Sequence, residues 1–184
     1  SLQAIQQQRV NVIGQIPAMF NYHWRLACYA GYDLRSLEIA IYGGDGNDTI
    51  TVGLGLDGLS GGNGANLFAY RTTKEGGDTI ADFKSGTDKF EFVASEFGNF
   101  KSSDFELVNV TSPTTDITSK ELLIFSGTYA SLSAVQSEFA ALPGAGTSPV
   151  FCLYQNEKGE SVLVFDGDGT GPAPAVNVAN FGTV

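Results

Sequence analysis

The sequence predicts a mainly β chain: a short parallel roll, then a β-rich cap with one or two helices, with a helical and aromatic extension at the N-terminus. Three observations carry this reading. Nonapeptides GGDGNDTIT, VGLGLDGLS and GGNGANLFA run head to tail from Gly43 to Ala69 without a break in register. Each puts a large apolar residue at its eighth position, Ile50, Leu59 and Phe68, as the inward residue of a very short strand should be. Further on, two apolar runs flank Asn156-Glu157-Lys158-Gly159, a hairpin signal.

Taken in order, residues 1–33 place Leu2, Ile5, Val12, Ile13 and Ile16 at helical spacing until Pro17, followed by Phe20, Tyr22, Trp24 and Tyr29. This segment is expected to cap the open end of the roll or to dock the chain on a protein partner. Residues 34–94 form the roll and its closing strands, with Ile41 continuing the apolar ladder backward and Lys89–Val93 alternating as a half-buried strand. In the cap of residues 95–184, Glu121–Phe125 is expected as a strand. Ser131–Leu142 is expected as a helix with Leu132, Val135, Phe139 and Leu142 on one face, stopped by Pro143-Gly144. Val150–Tyr154 and Ser161–Phe165 are the hairpin strands, and Ser112–Thr118 is an exposed loop.

The residue types of the repeats point to a cation. Glycines at the first, second and fourth positions allow positive φ and let carbonyl groups turn inward. Calcium seeks six to eight oxygens, which such turns can supply together with carboxylates. If two repeats make one coil, turn 43–48 stacks on turn 61–66. An ion between them would be held by Asp48, by Asn66 as a neutral substitute, and by carbonyls around Gly44, Asp45, Gly62 and Asn63; Asp57 of the second repeat joins this candidate set. The second repeat departs from the pattern with Val52 at its first glycine, and the third has Asn66 in place of aspartate.

The nonapeptides resemble the calcium-binding repeats of the repeats-in-toxin, or hemolysin-type, β-roll family. Asp78-Thr79-Ile80-Ala81-Asp82-Phe83 followed by Gly86-Thr87-Asp88-Lys89-Phe90-Glu91-Phe92 is similar to the segment that closes serralysin-type rolls. The resemblance implies calcium as the cofactor and a ligand role for Asp78 and Asp82. Residues 163–171 with 176–179 are similar to the family's terminal pattern.

A net charge of −10 and a pI near 4.3 exclude a nucleic-acid binder and suit a cation binder. No apolar stretch reaches the ~20 residues of a membrane span. The opening Ser-Leu-Gln-Ala-Ile carries no basic or apolar leader, leaving a removed leader, a C-terminal export signal or retention in the cell. An extracellular or cell-surface location is expected, with an intracellular subunit of a larger assembly as the alternative. Cys28 and Cys152 are expected as free thiols rather than a disulfide.

Gly58-Leu59-Ser60-Gly61-Gly62 matches a nucleophile elbow. Ser60, however, is the last residue of an in-register repeat, and the next calcium turn accounts for its glycines, so a non-enzymatic chain is expected and a serine hydrolase fragment is the remote alternative. The single histidine, His23, excludes a paired-histidine zinc motif. Asp166, Asp168, Thr170 and Gly171 follow an EF-hand opening, but Asn177 stands at its last position, and a turn whose aspartates cap backbone amides is favoured there.

Overall fold

A computed structural model describes residues 40–100, 106–146, 148–169 and 174–182. The expected N-terminal helix and aromatic cluster lie outside the described residues, as do His23 and Cys28.

Six short strands build the roll: β1 (Ala40–Tyr42), β2 (Thr49–Thr51), β3 (Gly58–Ser60), β4 (Leu67–Tyr70), β5 (Asp78–Ile80) and β6 (Lys89–Phe92). They alternate between two sheets. β1, β3 and β5 pair in parallel on one side, while β2, β4 and β6 pair in parallel on the other. One coil therefore uses two nonapeptides, and equivalent residues fall in register, Ile41 on Leu59 and Ile50 on Phe68. β2, β3 and β5 bury one face each, while β4 also buries Ala69 on its other face. Their single inward apolar residues, Ile50, Leu59, Phe68 and Ile80, form a thin core in which none is more than 3% exposed. Phe83, Phe90 and Phe181 extend it as a run of ring contacts.

The cap continues the roll's own sheet. β7 (Leu107–Val110), β8 (Leu122–Tyr129), β9 (Val150–Asn156), β10 (Ser161–Asp166) and β11 (Val176–Phe181) complete an eight-stranded sheet of order β1-β3-β5-β11-β10-β9-β8-β7. The join is β11, parallel to β5 through Ala179 on Asp78 and antiparallel to β10. The hairpin forms as expected: β9 and β10 pair antiparallel across a turn where Gly159 takes φ 82° and Asn156 Oδ1 accepts the N–H of Lys158.

Alternation along β9 and β10 divides the core. Phe151, Leu163 and Phe165 pack into the roll, whereas Val150, Cys152, Tyr154, Val162 and Val164 face the helix α1 (Leu132–Ala140). A sheet covered on both faces reads as an unbroken apolar run, and all six residues of β10 are buried. α1 starts where Ser131 Oγ accepts the N–H of Ala134, and it buries Val135 and Phe139. Among the described residues it is the one α-helix, joined by a single 3-10 turn at Thr73–Glu75. Strand β8 runs four residues beyond the expected Phe125, past a register shift between Ile124 and Thr128, because Tyr129 packs edge-on against both Phe125 and Tyr154. Cys152 is a buried free thiol; burial raises its pKa, and the Asp166 charge adds to the effect.

Candidate metal centre

Turns 43–48, 61–66 and 81–88 stack along one edge of the roll. The contact between the first two is so close that only glycine fits. Gly44, Gly46, Gly62 and Gly64 take φ of 103°, 114°, 80° and 106°, and a Cβ on Gly62 or Gly64 would collide with the carbonyl oxygen of Gly44 or Gly46. Backbone bonds run from Asn63 N–H to Gly44 O at 3.2 Å and from Gly46 N–H to Asn63 O at 3.1 Å. Side chains add two more: Asn63 Nδ2 donates to Asp45 Oδ1 at 2.9 Å, and Ala65 N–H donates to Asn47 Oδ1 at 2.8 Å.

The last residue of each turn forms a ladder. Asp48 N–H donates to Asn66 Oδ1 at 3.1 Å, and Asn66 N–H donates to Asp88 Oδ1 at 2.8 Å. On the opposite edge the same bond runs from Asp57 N–H to Asp78 Oδ1 at 2.8 Å. One side-chain atom at each rung thus ties a coil to its predecessor, leaving the other atom to face its own turn. For Asp48 that atom is Oδ2, buried without a hydrogen-bond partner. A Cβ placed on Gly43 would lie 2.8 Å from it and 2.5 Å from the Gly61 carbonyl oxygen, so both oxygens line one small space between the stacked turns. A buried carboxylate oxygen with no donor is costly unless a cation or proton meets it.

The second edge is built differently. Val52, fully buried, replaces the first glycine of turn 52–57, and Leu54 and Leu56 stand 59% and 69% exposed where the other repeats have Asp45 and Asn63, and Asn47 and Ala65. Asp57 and Asp78 are buried beside Glu75, whose Oε2 accepts the N–H groups of Arg71 and Thr72 in a capping box. Asp78 Oδ2 has no partner at full hydrogen-bond geometry, and the neighbouring Tyr70 hydroxyl lies close enough to favour its ionised form without offsetting the burial. Burial, reinforced by the charges of Asp57 and Glu75, pushes the Asp78 carboxyl up to about 7. The same burial, with Asp78 close by, raises the Tyr70 hydroxyl.

Asp82 sits on the first edge as a hydrogen-bond acceptor for the backbone. Its oxygens receive Gly61 N–H and Gly62 N–H, each at 2.8 Å, and the Ser60 hydroxyl at 2.7 Å. Burial pushes this carboxyl up, but those three donors and the charge of Lys84 outweigh it and hold it below its ordinary value. Ser60 Oγ therefore donates to a carboxylate already engaged by two amides. The terminal loop takes the turn form favoured for it: Asp168 N–H donates to Asp166 Oδ1 at 3.2 Å, and the element that follows is the strand β11. Thr170 and Gly171 lie outside the described residues.

The structure thus gathers Gly44, Asp45, Asp48, Gly62, Asn63, Asn66 and Asp82 on one edge and separates Asp57 and Asp78 onto the other. Among the described residues no three His, Cys, Asp or Glu side chains cluster to hold a metal. The oxygens that converge are the Asp48 carboxylate Oδ2 and the Gly61 backbone carbonyl, both of the hard donor type that calcium prefers. Asp88, Glu75 and Tyr70 were not anticipated. Asp88 was legible as the aspartate that heads the alternating strand β6, as Asp48 heads β2. Neither the curated proteins nor the solved structures contain a match to this chain. Residues 35–121, just under half of the chain, match the family described as the peptidase M10 serralysin C terminal. That stretch holds the three repeats, the closing segment and every candidate ligand, so the roll is similar to a serralysin C-terminal region, while the helix and the β9–β10 hairpin lie beyond the match.

Proposed function

We propose that this chain is a non-enzymatic calcium-binding β-roll protein, in which calcium staples turn 43–48 to turn 61–66 and presents the rest of the surface to a partner. The observation that carries this reading is the buried, donorless Asp48 Oδ2 facing the Gly61 carbonyl across stacked glycine turns. Asp48 would hold the ion with turn carbonyls. The ion would supply the positive charge that the donorless Oδ2 faces nowhere else in its turn, and its binding energy would become folding energy. A site with a single carboxylate and otherwise neutral ligands would suit the millimolar calcium of an extracellular or cell-surface setting, which similarity to a serralysin C-terminal region also supports. Ser60, engaged with Asp82, serves as a turn residue and not as a nucleophile.

Thermal unfolding followed by circular dichroism, in calcium and in chelator, tests the proposal. Calcium should raise the Tm by roughly 5–10 °C at a hundredfold excess over its Kd. Asp48→Asn, which keeps the shape and removes the charge, should abolish most of that gain. Equal melts in calcium and chelator would refute the reading.

A second reading, an accessory subunit docked to a larger assembly, is favoured by one feature, the exposed Leu54 and Leu56 on the turn preceding β3, the strand on which β1 pairs. In that case deletion of residues 1–33 abolishes association while calcium still raises the Tm.

A further inference from the structure

The first edge has two intervals between stacked turns, and they are chemically opposite. The interval between 43–48 and 61–66 offers an unpartnered carboxylate oxygen, Asp48 Oδ2. In the next interval, between 61–66 and 81–88, the corresponding rung is Asn66. Its Oδ1 accepts the Asp48 N–H, so its remaining atom is the amide nitrogen, buried and without an acceptor. That nitrogen points at Gly61 as Asp48 Oδ2 points at Gly43: a Cβ on Gly61 would lie 2.5 Å from it. An NH2 group cannot ligate a cation. Turning the amide over to offer its oxygen would sacrifice the bond to Asp48 and set two donors face to face.

The carboxylates of the closing turn are already engaged with the backbone. Both oxygens of Asp82 are taken by Gly61, Gly62 and Ser60. Both oxygens of Asp88 are taken as well, Oδ1 by Asn66 N–H and Oδ2 by Lys84 N–H at 2.7 Å. Positive charge is already present, because the Lys84 ammonium reaches the Gly62 carbonyl oxygen at 3.5 Å. The residues here do not fit calcium.

We propose that the second interval is closed by the protein's own groups, the Lys84 ammonium and the Asn66 amide standing where a roll of repeated GGxGxD turns would place an ion. The last turn is then ordered without calcium, and chelation opens the first interval while the closing turn stays in place. The opening of the first interval rests on the calcium-binding reading, whereas the closure of the second stands on Asn66 and Lys84 alone. A tethered ammonium is never lost to a chelator, and it allows the chain to finish its roll at the strand where β11 and the cap take over.

The test is to count calcium ions by isothermal titration calorimetry and native mass spectrometry on the full chain. The double variant Asn66→Asp with Lys84→Gln restores the missing carboxylate oxygen and removes the competing charge, so it should bind one ion more than wild type and keep that extra ion when Asp48→Asn is added. Asp48→Asn alone reports on the first interval and should bind one ion fewer. If it does so while the double variant gains nothing, the inference about the second interval falls and the calcium reading stands; a gain with no loss at Asp48 has the reverse meaning. Should the double variant fold poorly, Lys84→Gln alone gives a second measure: in chelator its Tm should fall, with recovery in Lys84→Arg. An unchanged Tm in Lys84→Gln would overturn the role of the ammonium.

Discussion

At the scale of single residues, the two orphan carboxylate oxygens of the roll, on Asp48 and Asp78, occupy equivalent rungs in unlike surroundings. Asp48 lies on a solvent-facing glycine turn, where a cation can reach it. Asp78 is fully buried with Tyr70, Asp57 and Glu75 around it, and its carboxyl is pushed up to about 7 from an ordinary 3.8, mainly by burial. Between those two values the folded chain holds a proton that the unfolded chain has released. The contribution of this group to stability is therefore complete below the lower value and drains away as the pH climbs to the upper one. Asp78→Asn keeps an oxygen for Asp57 N–H and removes the charge. In chelator at pH 8 it should raise the Tm by roughly 3–8 °C and flatten the stability profile across that window. A lower Tm at pH 8 would mean that Asp78 is held as a carboxylate by a cation instead. None of this was legible in the sequence, which presents Asp48-Thr49-Ile50 and Asp78-Thr79-Ile80 as the same tripeptide motif; the difference comes from what the neighbouring coil places beside each.

Elements were more legible than their edges. The nonapeptide period fixed β2, β3 and β4 and their inward residues, because a one-residue slip would turn Ile50, Leu59 and Phe68 to solvent. α1 and the β9–β10 hairpin followed from a 3.6-residue apolar pattern stopped by Pro143-Gly144 and from a four-residue turn. Strand β7 was missed. Its Leu107–Val110 run is short, and it acquires strand geometry by parallel pairing with β8, a long-range contact that no local pattern encodes. The stacked turns give an element-scale prediction. Gly44 and Gly62 both take positive φ, but a Cβ on Gly44 meets nothing within 4 Å, whereas one on Gly62 strikes the Gly44 carbonyl. Ala at position 44 should therefore cost about 1 kcal/mol of conformational strain, and Gly62→Ala at least twice that, with the calcium response lost. Equal Tm losses in the two variants would show that the coils are not packed at this separation.

At the scale of the whole molecule, the sequence divides into an extension, a roll and a cap, yet among the described residues one eight-stranded sheet runs from the roll into the cap. β11 returns from the end of the chain to pair with β5, Gly77 N–H donating to Val178 O at 3.0 Å, and a Cβ on Gly76 would strike the Asn177 carbonyl. Phe151 and Phe165 of the hairpin pack on Phe92 and Phe97 at ring separations of 4.8 to 6.1 Å, inside the core cluster that holds Ile50 and Leu59. Repeats alone would have suggested a roll melting coil by coil from its ends, since each coil of a solenoid touches only its neighbours. A shared sheet and a shared core instead couple the coils to the cap, so unfolding the roll exposes one whole face of β9 and β10. Calcium bound at turns 43–48 and 61–66 should then shift the entire transition. Near-ultraviolet circular dichroism, reporting the aromatic core, and backbone hydrogen exchange at α1, on the far face of the sheet, should show the same midpoint and the same displacement on adding calcium. Two transitions, with only the one assigned to residues 40–92 moving with calcium, would show that the sheet joins two units that fold independently. Removing β11 by truncation after Asp166 separates the explanations further: in a coupled molecule it should lower the calcium-loaded midpoint of the roll itself, because β5 loses its only partner on that side, whereas an autonomous roll would melt at its original temperature.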